Sequence, residues 1–273
     1  MLSKNEQHEA EAFNRIAEQC DRKTLRTSDF TFSRYRRATL DQPLFNRYPD
    51  LVFSHIGSHF CVKDEIKPLN GIRVLDLGAG DGIWSVILAE QGSNVTSLEI
   101  ASKQVELARE RMRIHGLIWD ARVGSAFQLR SEFKPGSFDL IFGQAVLHHL
   151  TKDLERVYAD SYYLLRDGGY AVFTEPFSGS AFLRSLRERL SWIIPLNAES
   201  PDERPLTLQD IESLKNYFSN VEVNHADIFS KFGRRVFRSK TVEVFLGDID
   251  RRLLRYKSFV SLASMVFISA RKS

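Results

Sequence analysis

The sequence predicts an α/β fold: a seven-stranded, largely parallel sheet with helices on both faces and an antiparallel last strand. Three observations predict it. From Gly71 onward, short aliphatic runs alternate with helical patterns, the pitch of a doubly wound sheet. The first of those runs ends in a glycine-rich turn, Gly78-Ala79-Gly80-Asp81-Gly82, that opens a helix. The second run ends in an acid, Glu99, 19 residues after Gly80.

Taken in order, residues 1–70 are polar, with Phe13, Ile16 and Ala17 at helical spacing, and read as a helical cap. Residues 72–77 form the first strand and 83–91 a helix. Residues 94–99 form the second strand and 102–115 the second helix. A weaker third strand lies near 121–123. The fourth covers 138–142, followed by a helix from about 152 to 165 with Thr151 as its cap. The fifth covers 169–174. Residues 177–205 are too long for an ordinary connection and read as a lid insertion. Thr207 with Asp210 three residues on is an N-cap pair, opening a helix through Phe218. A sixth strand begins at 221–223, and 264–269 forms the last, antiparallel beside it. Between them, 230–262 is a second insertion into an α/β domain that runs over 71–273.

Right-handed crossovers place every strand-to-helix turn of such a sheet on one edge, where ligands bind near the point at which strand order reverses. Gly78–Gly82, Glu99, Ser125 and the stretch from Gln144 to His149 are therefore expected to meet, although they are scattered in sequence.

Composition narrows the function. With 43% apolar and 27% charged residues, the chain is globular and not disordered. Its 38 basic against 35 acidic residues leave +3, too mild to argue for nucleic acid by charge alone. The two cysteines, Cys20 and Cys61, have no paired spacing, so neither a disulfide framework nor a cysteine metal site is expected. The uncharged run 258–270 is short of the ~20 residues a membrane span needs, and the first ten residues lack the apolar core of a signal peptide. A cytoplasmic protein is expected.

The glycine turn is the most informative stretch. Its spacing departs from G-x-G-x-x-G because position 83 is Ile, and two acids, Asp76 and Asp81, flank it. Carboxylates repel a diphosphate and suit a ligand with a positive end. Glu99 is placed to accept both hydroxyls of a ribose. A ribose with a cationic end and no phosphate describes S-adenosylmethionine.

Residues 74–82, Glu99, 138–150 and 165–176 resemble the successive motifs of class I S-adenosylmethionine-dependent methyltransferases. They are most similar to the small-molecule branch that includes the ubiquinone- and menaquinone-pathway enzymes. The resemblance covers 71–176 well and the flanks loosely. It implies a Rossmann-like sheet and S-adenosyl-L-methionine as cofactor. It also implies that Gly78, Ala79 and Gly80 line the methionine and ribose portion. Asp76 would orient the amino group, Glu99 would hold the ribose and Ile100 would pack on adenine. The turn after the third strand usually carries an acid for the adenine amino group. Here Ser125 stands in its place, which leaves the contacts of Ser125, Ala126 and Phe127 with adenine open. At Gln144 a backbone carbonyl would receive the ammonium. Asp81 and Trp84 read equally as site neighbours or as a helix cap and a packing residue.

An activated methyl group needs an aligned acceptor and, where necessary, a base. His148 and His149 follow the fourth strand at the ligand edge, and imidazole titrates near neutrality; His149 is the first choice of base. The alternative is a packed structural histidine. Glu175 ends the fifth strand and points toward the pocket edge as a further catalytic candidate. Tyr35, His55 and His59 read as structural or surface residues. No metal-ligand spacing stands out. The Asn/Asp-Pro-Pro-aromatic tetrapeptide expected for DNA and release-factor substrates is replaced by Gly143-Gln144-Ala145-Val146, which argues against DNA.

Residues 182–194 and 251–257 are amphipathic and basic, as is 231–240; Arg34, Arg36 and Arg37 add a further cluster. An ordinary helix with a solvated basic face is the simpler reading; contact with an anionic membrane or lipid, or cover over a greasy acidic substrate, is the other. The expected activity is methyl transfer to a small, hydrophobic metabolite, on oxygen. The alternatives are transfer to carbon or nitrogen, an RNA substrate, a cofactor-binding partner without turnover, and a rearrangement that only uses the bound cofactor.

Overall fold

The computed structural model describes residues 2–22, 25, 69–180, 203–230 and 239–273. The lid segment 182–194, the cluster at Arg34, Arg36 and Arg37, Tyr35, His55, His59 and Cys61 lie outside these residues. So does most of 231–240.

Helix α1 spans Lys4–Glu18. Its start is set by a capping box: Ser3 N–H donates to the Glu6 carboxylate at 2.7 Å, and the Ser3 hydroxyl accepts from Glu6 N–H, satisfying two end groups reciprocally. After it come β1 (Arg73–Leu77), α2 (Ile83–Glu90), β2 (Asn94–Glu99), α3 (Ser102–His115), β3 (Asp120–Val123) and α4 (Leu129–Glu132). Next are β4 (Phe138–Gln144), a 3₁₀ turn (Leu147–His149), α5 (Leu154–Leu164) and β5 (Leu165–Pro176). The chain ends with α6 (Leu208–Leu214), β6 (Asn220–Ala226), α7 (Lys240–Leu253), α8 (Lys257–Val260) and β7 (Met265–Arg271).

One sheet holds all seven strands in the order β3-β2-β1-β4-β5-β7-β6. The pairs from β3 to β5 are parallel, and β7 runs antiparallel between β5 and β6. Several strand boundaries differ from the sequence expectation, β5 running over Leu165–Pro176 instead of 169–174, and two helix boundaries differ as well. The helix before β5 is preceded by Asp153, not by Thr151, because residues 151–153 form a turn and a bend that carry the chain to the helix start. The helix opened by Thr207 ends at Leu214, not at Phe218; its capping box with Asp210 is present.

Strand parity sorts the core. Leu75, Leu77, Ile141 and Phe173 face α5, meeting Val157 and Tyr158. Val74, Leu140, Phe142 and Val172 face α2 and α3, meeting Val86, Ile87 and Val105. Asp76 shares parity with Val74 and is therefore carried into the α2 side, where it is 1% exposed. At the opposite end of the sheet, Asp139 accepts from Arg73 N–H at 2.8 Å, from the Arg73 guanidinium, and from Arg166 Nε–H. These arginines hold the Asp139 carboxyl below its ordinary range although burial pushes the other way.

Helix α1 docks on α3. Asn14 Oδ1 accepts from Lys103 N–H at 2.9 Å and Gln104 Nε2 donates to Phe13 O at 3.3 Å. The Ala101 cap of α3 has no side chain to offer, so Asn14 satisfies an amide of that helix start from another element. In the second insertion, Asp250 of α7 is fully buried and accepts from the amides of Ile228, Phe229 and Ser230, which fixes that helix to the chain after β6. Among the described residues no helix is long and apolar enough to cross a membrane.

Candidate active site

Strand order reverses between β1 and β4, and the turns after β1, β2, β3 and β4 meet there. With α1 they enclose a cavity of about 340 Å³, within the size range of small-ligand sites. Gly78, Gly80, Glu99, Ile100, Ser125, Ala126, Phe127, Gln144, His148 and His149 all line it. Asp76, Ala79 and Glu175 do not.

The glycine turn is shaped by two left-handed residues. Gly78 has φ +67°, and a Cβ there would stand 2.4 Å from Val146 Cγ2; Gly80 has φ +53°, with no atom within 4 Å of its Cβ position. The first glycine lets the turn lie against the β4 loop, and the second leaves its cavity side open. Glu99 ties this turn to β2: Gly80 N–H donates to it at 3.0 Å and Ala101 N–H at 2.9 Å. Burial raises its carboxyl despite those amides.

Asp76 sits beneath the turn rather than in the cavity wall. Its carboxylate accepts from Ser85 Oγ–H at 2.6 Å, and burial, with the Glu99 charge adding to it, pushes the carboxyl up to about 7. Asp81 is taken out of the site altogether. Arg111, itself 4% exposed, donates to both its carboxylate and its carbonyl, and Trp84 packs on Phe142 at 4.9 Å between ring centroids. The packing reading holds for Trp84; Asp81 is not the helix cap, which is Gly82, but the partner of Arg111. Ala79 turns inward, its N–H donating to Leu98 O at 3.2 Å.

Glu175 corrects the expectation of a pocket-edge carboxylate. It is 0% exposed. It accepts from the amides of Val146 and Leu147 at 2.8 Å each and of His148 at 3.3 Å, and its Oε2 lies 2.8 Å from His148 Nδ1. Strand parity explains the inward turn, since the strand continues through Glu175 paired with Val266 of β7. Glu175 is thus the clamp of the β4 loop, whose first residue, Ala145, is left-handed at φ 54°, a conformation that persists only when neighbours over-determine it.

His148 and His149 stack with ring centroids 4.0 Å apart. His149 Nδ1 is buried with no hydrogen-bond partner among the described residues. Burial, with His148 beside it, drives its imidazole down to about 3, so the ring is neutral near pH 7. Gln144 Oε1 is likewise buried without a partner.

Four lining residues have no counterpart in the sequence reading: Glu6, Glu9 and Phe13 of α1, and Glu203. The three from α1 share one face at i, i+3 and i+7. Their signal was the Ser3/Glu6 cap, which marks a helix start but gives no hint that its acidic face turns inward. Glu6 bonds the Ser125 hydroxyl. Burial opposes its charge, but the Ser125 and Ser3 bonds more than offset this and lower its carboxyl. Glu9 lies 3.4 Å from His149 Nδ1, and its carboxyl is raised to about 7 by burial and by the charges of Glu99 and Glu203. Phe13 meets the His149 ring edge-on at 5.5 Å. No sequence pattern marks Glu203.

An open α/β sheet with a glycine turn, an acid after β2 and a cavity at the switch point is the doubly wound class of α/β domain, which binds ligands at that crevice. Residues 75–173 match the methyltransferase domain family. Among curated relatives, the ubiquinone biosynthesis O-methyltransferase of Xylella fastidiosa is 36% identical over 102 residues, 37% of this chain and 41% of that protein. The chain spans about half or less of the length of the curated relatives it matches. Among solved structures, a SAM-dependent methyltransferase from Archaeoglobus fulgidus aligns with TM-score 0.53 at 16% identity over 82% of this chain and 94% of that one. A geranyl diphosphate methyltransferase in complex with GPP and sinefungin aligns with TM-score 0.53 at 15% identity, over 84% and 80%. These two share the fold.

Proposed function

We propose that the chain binds S-adenosylmethionine in the cavity beside Gly78 and Gly80 and methylates an oxygen of a small, hydrophobic metabolite. One observation carries this reading: the open, side-chain-free turn at Gly80 borders two buried acids, Asp76 and Glu99, whose carboxyls burial raises. Buried carboxylates without a cation beside them favour a ligand that brings positive charge. The unpartnered Gln144 Oε1 fits the same ligand, because it can accept from an ammonium.

Bound there, the cofactor would supply a methyl group on cationic sulfur, which departs as a neutral thioether when an oxygen lone pair takes the methyl. The protein's part is placement. Glu99 keeps lone pairs for ribose hydroxyls beyond the two amides it already holds. Ile100, Ala126 and Phe127 offer apolar walls to a base, and Glu6 supplies from α1 the carboxylate that Ser125 lacks. On the far side, His149, with Phe13 and Leu150 beside it, faces the place left for the acceptor.

The apolar share of that wall supports a hydrophobic acceptor, and the O-methyltransferase relatives support oxygen. The cap at 1–70 and the insertions at 177–205 and 230–262 are proposed to shape this acceptor side. The test is calorimetry with S-adenosylhomocysteine, followed by turnover on phenolic acceptors. Micromolar binding that weakens at least tenfold in Glu99→Ala, with methyl ether formed, is expected. No uptake of the nucleoside by the folded protein would refute the reading.

A further inference from the structure

We propose that His148, His149 and Glu203 form a binding site for a borderline divalent cation, of the Zn²⁺ or Co²⁺ type, on the acceptor side of the cavity. One ligand atom from each of the three lies within 4.8 Å of the others. His148 Nε2 is 3.7 Å from Glu203 Oε1, and His149 Nδ1 is 3.9 Å from Glu203 Oε2. Ligands at about 2.0–2.1 Å around a tetrahedral ion stand roughly 3.4 Å apart, and the three ligand atoms here lie within 4.8 Å of one another, so closing the set on an ion takes side-chain shifts of about 1 Å.

Chemistry selects the nitrogen that faces the site. Glu175 already accepts three backbone amides and can only accept from His148 Nδ1 as well, so Nδ1 carries the proton. The lone pair of His148 therefore sits on Nε2, directed toward Glu203. A carboxylate behind an imidazole, fixing its tautomer and its plane, is the supporting arrangement that metal-binding histidines use. The second, independent observation is His149. Its side chain is 10% exposed, and its Nδ1 is buried without a hydrogen-bond partner among the described residues. Glu9 Oε1 lies 3.4 Å from the same nitrogen, at the edge of the group. Two imidazole lone pairs and the Glu203 carboxylate are thus gathered within 4.8 Å of one another, a donor set that a single cation can join. Two imidazoles with carboxylate oxygen suit zinc, cobalt and iron better than magnesium or calcium.

The cation's use rests on the proposed function: it would hold the acceptor oxygen and favour its deprotonated form, the proton leaving to solvent. Its binding does not rest on that reading. The test is titration of the metal-free full chain with Co²⁺, read by visible d–d absorption, together with Zn²⁺ calorimetry. We expect one equivalent to bind with a tetrahedral or five-coordinate cobalt spectrum. His149→Ala and Glu203→Gln, the latter a partly exposed position that leaves the fold intact, should each weaken binding at least tenfold. Glu175→Gln, which keeps an acceptor for the Val146 and Leu147 amides but no longer fixes the His148 tautomer, should weaken it measurably and change the spectrum, whereas His115→Ala leaves both unchanged. An absent cobalt spectrum in the wild type would overturn the proposal, as would one that survives unaltered in both His149→Ala and Glu203→Gln. Calorimetry with S-adenosylhomocysteine separates the two ideas: cobalt bound without the nucleoside sinks the function, and the nucleoside bound without cobalt sinks the metal site.

Discussion

Removing Glu175 tests whether the β4 loop is held by one buried carboxylate. The side chain accepts from three consecutive amides and sits 2.8 Å from His148 Nδ1, with no solvent to replace it. Each buried donor left unmet costs about 1–3 kcal/mol, and such losses do not add fully. Breaking a buried charged contact as a whole costs about 3–5 kcal/mol, and Glu175→Ala is expected in that range. At about 2–4 °C per kcal/mol for a chain of this size, the midpoint should fall by on the order of 10 °C. Glu175→Gln keeps an acceptor for Val146 and Leu147 but turns an amide NH₂ toward the His148 N–H. It is expected to lose about 1–2 kcal/mol, the scale of a single unmet buried donor. The assay is thermal unfolding by circular dichroism, with S-adenosylhomocysteine affinity measured below the transition. A Glu175→Ala midpoint within 2 °C of wild type would refute the clamp, since nothing else described reaches those amides.

Other outcomes follow from the same geometry. Because burial lifts Asp76 to about 7 and a cationic ligand favours its ionised form, cofactor uptake should release a proton. Affinity should then rise with pH up to about 7 and flatten above it, by as much as tenfold per unit; calorimetry in buffers of different ionisation enthalpy checks this, and a flat profile contradicts it. Gly78→Ala forces a side chain onto Val146 at a left-handed residue and should cost about 2–4 kcal/mol in denaturant unfolding. Gly80→Ala meets no atom within 4 Å and should cost only about 1–2 kcal/mol, while weakening S-adenosylhomocysteine more than Gly78→Ala weakens it relative to its stability loss. Asp139, held below its ordinary range by Arg73 and Arg166, contributes stability above the unfolded carboxyl value that is lost as pH falls through the folded one. Asp139→Asn should therefore shift the acid-unfolding midpoint upward, and an unchanged midpoint would show that the bridge contributes nothing.

The sheet was legible because its strands are continuous aliphatic runs whose burial on both faces leaves no other reading; 94–99 and 102–115 match β2 and α3 residue for residue. The edge that carries the cavity was legible for a related reason, since crossover handedness forces the turns onto one edge. Parity was the signal left unused. Alternation along β1 already sends Asp76 to the α2 side, and the extension of β5 turns Glu175 inward. The residues of α1 could not be read, because an acidic helix face looks solvated until tertiary packing places it against Ser125 and His149. Glu203 had no local pattern at all, and the convergence with His148 and His149 depends on a contact spanning more than fifty residues.

Helix α1 has a kinetic consequence. It forms one side of the cavity, and hydrogen bonds to Lys103 and Gln104 tie it to α3 at Asn14 and Phe13, the end of the helix away from Glu6. The same helix is also held at the cavity itself, by Glu6 on Ser125, so anything enclosed there would share a wall with contacts made at both ends of α1. Loosening the Asn14–Lys103 bond is expected to change the rate of exchange more than the affinity.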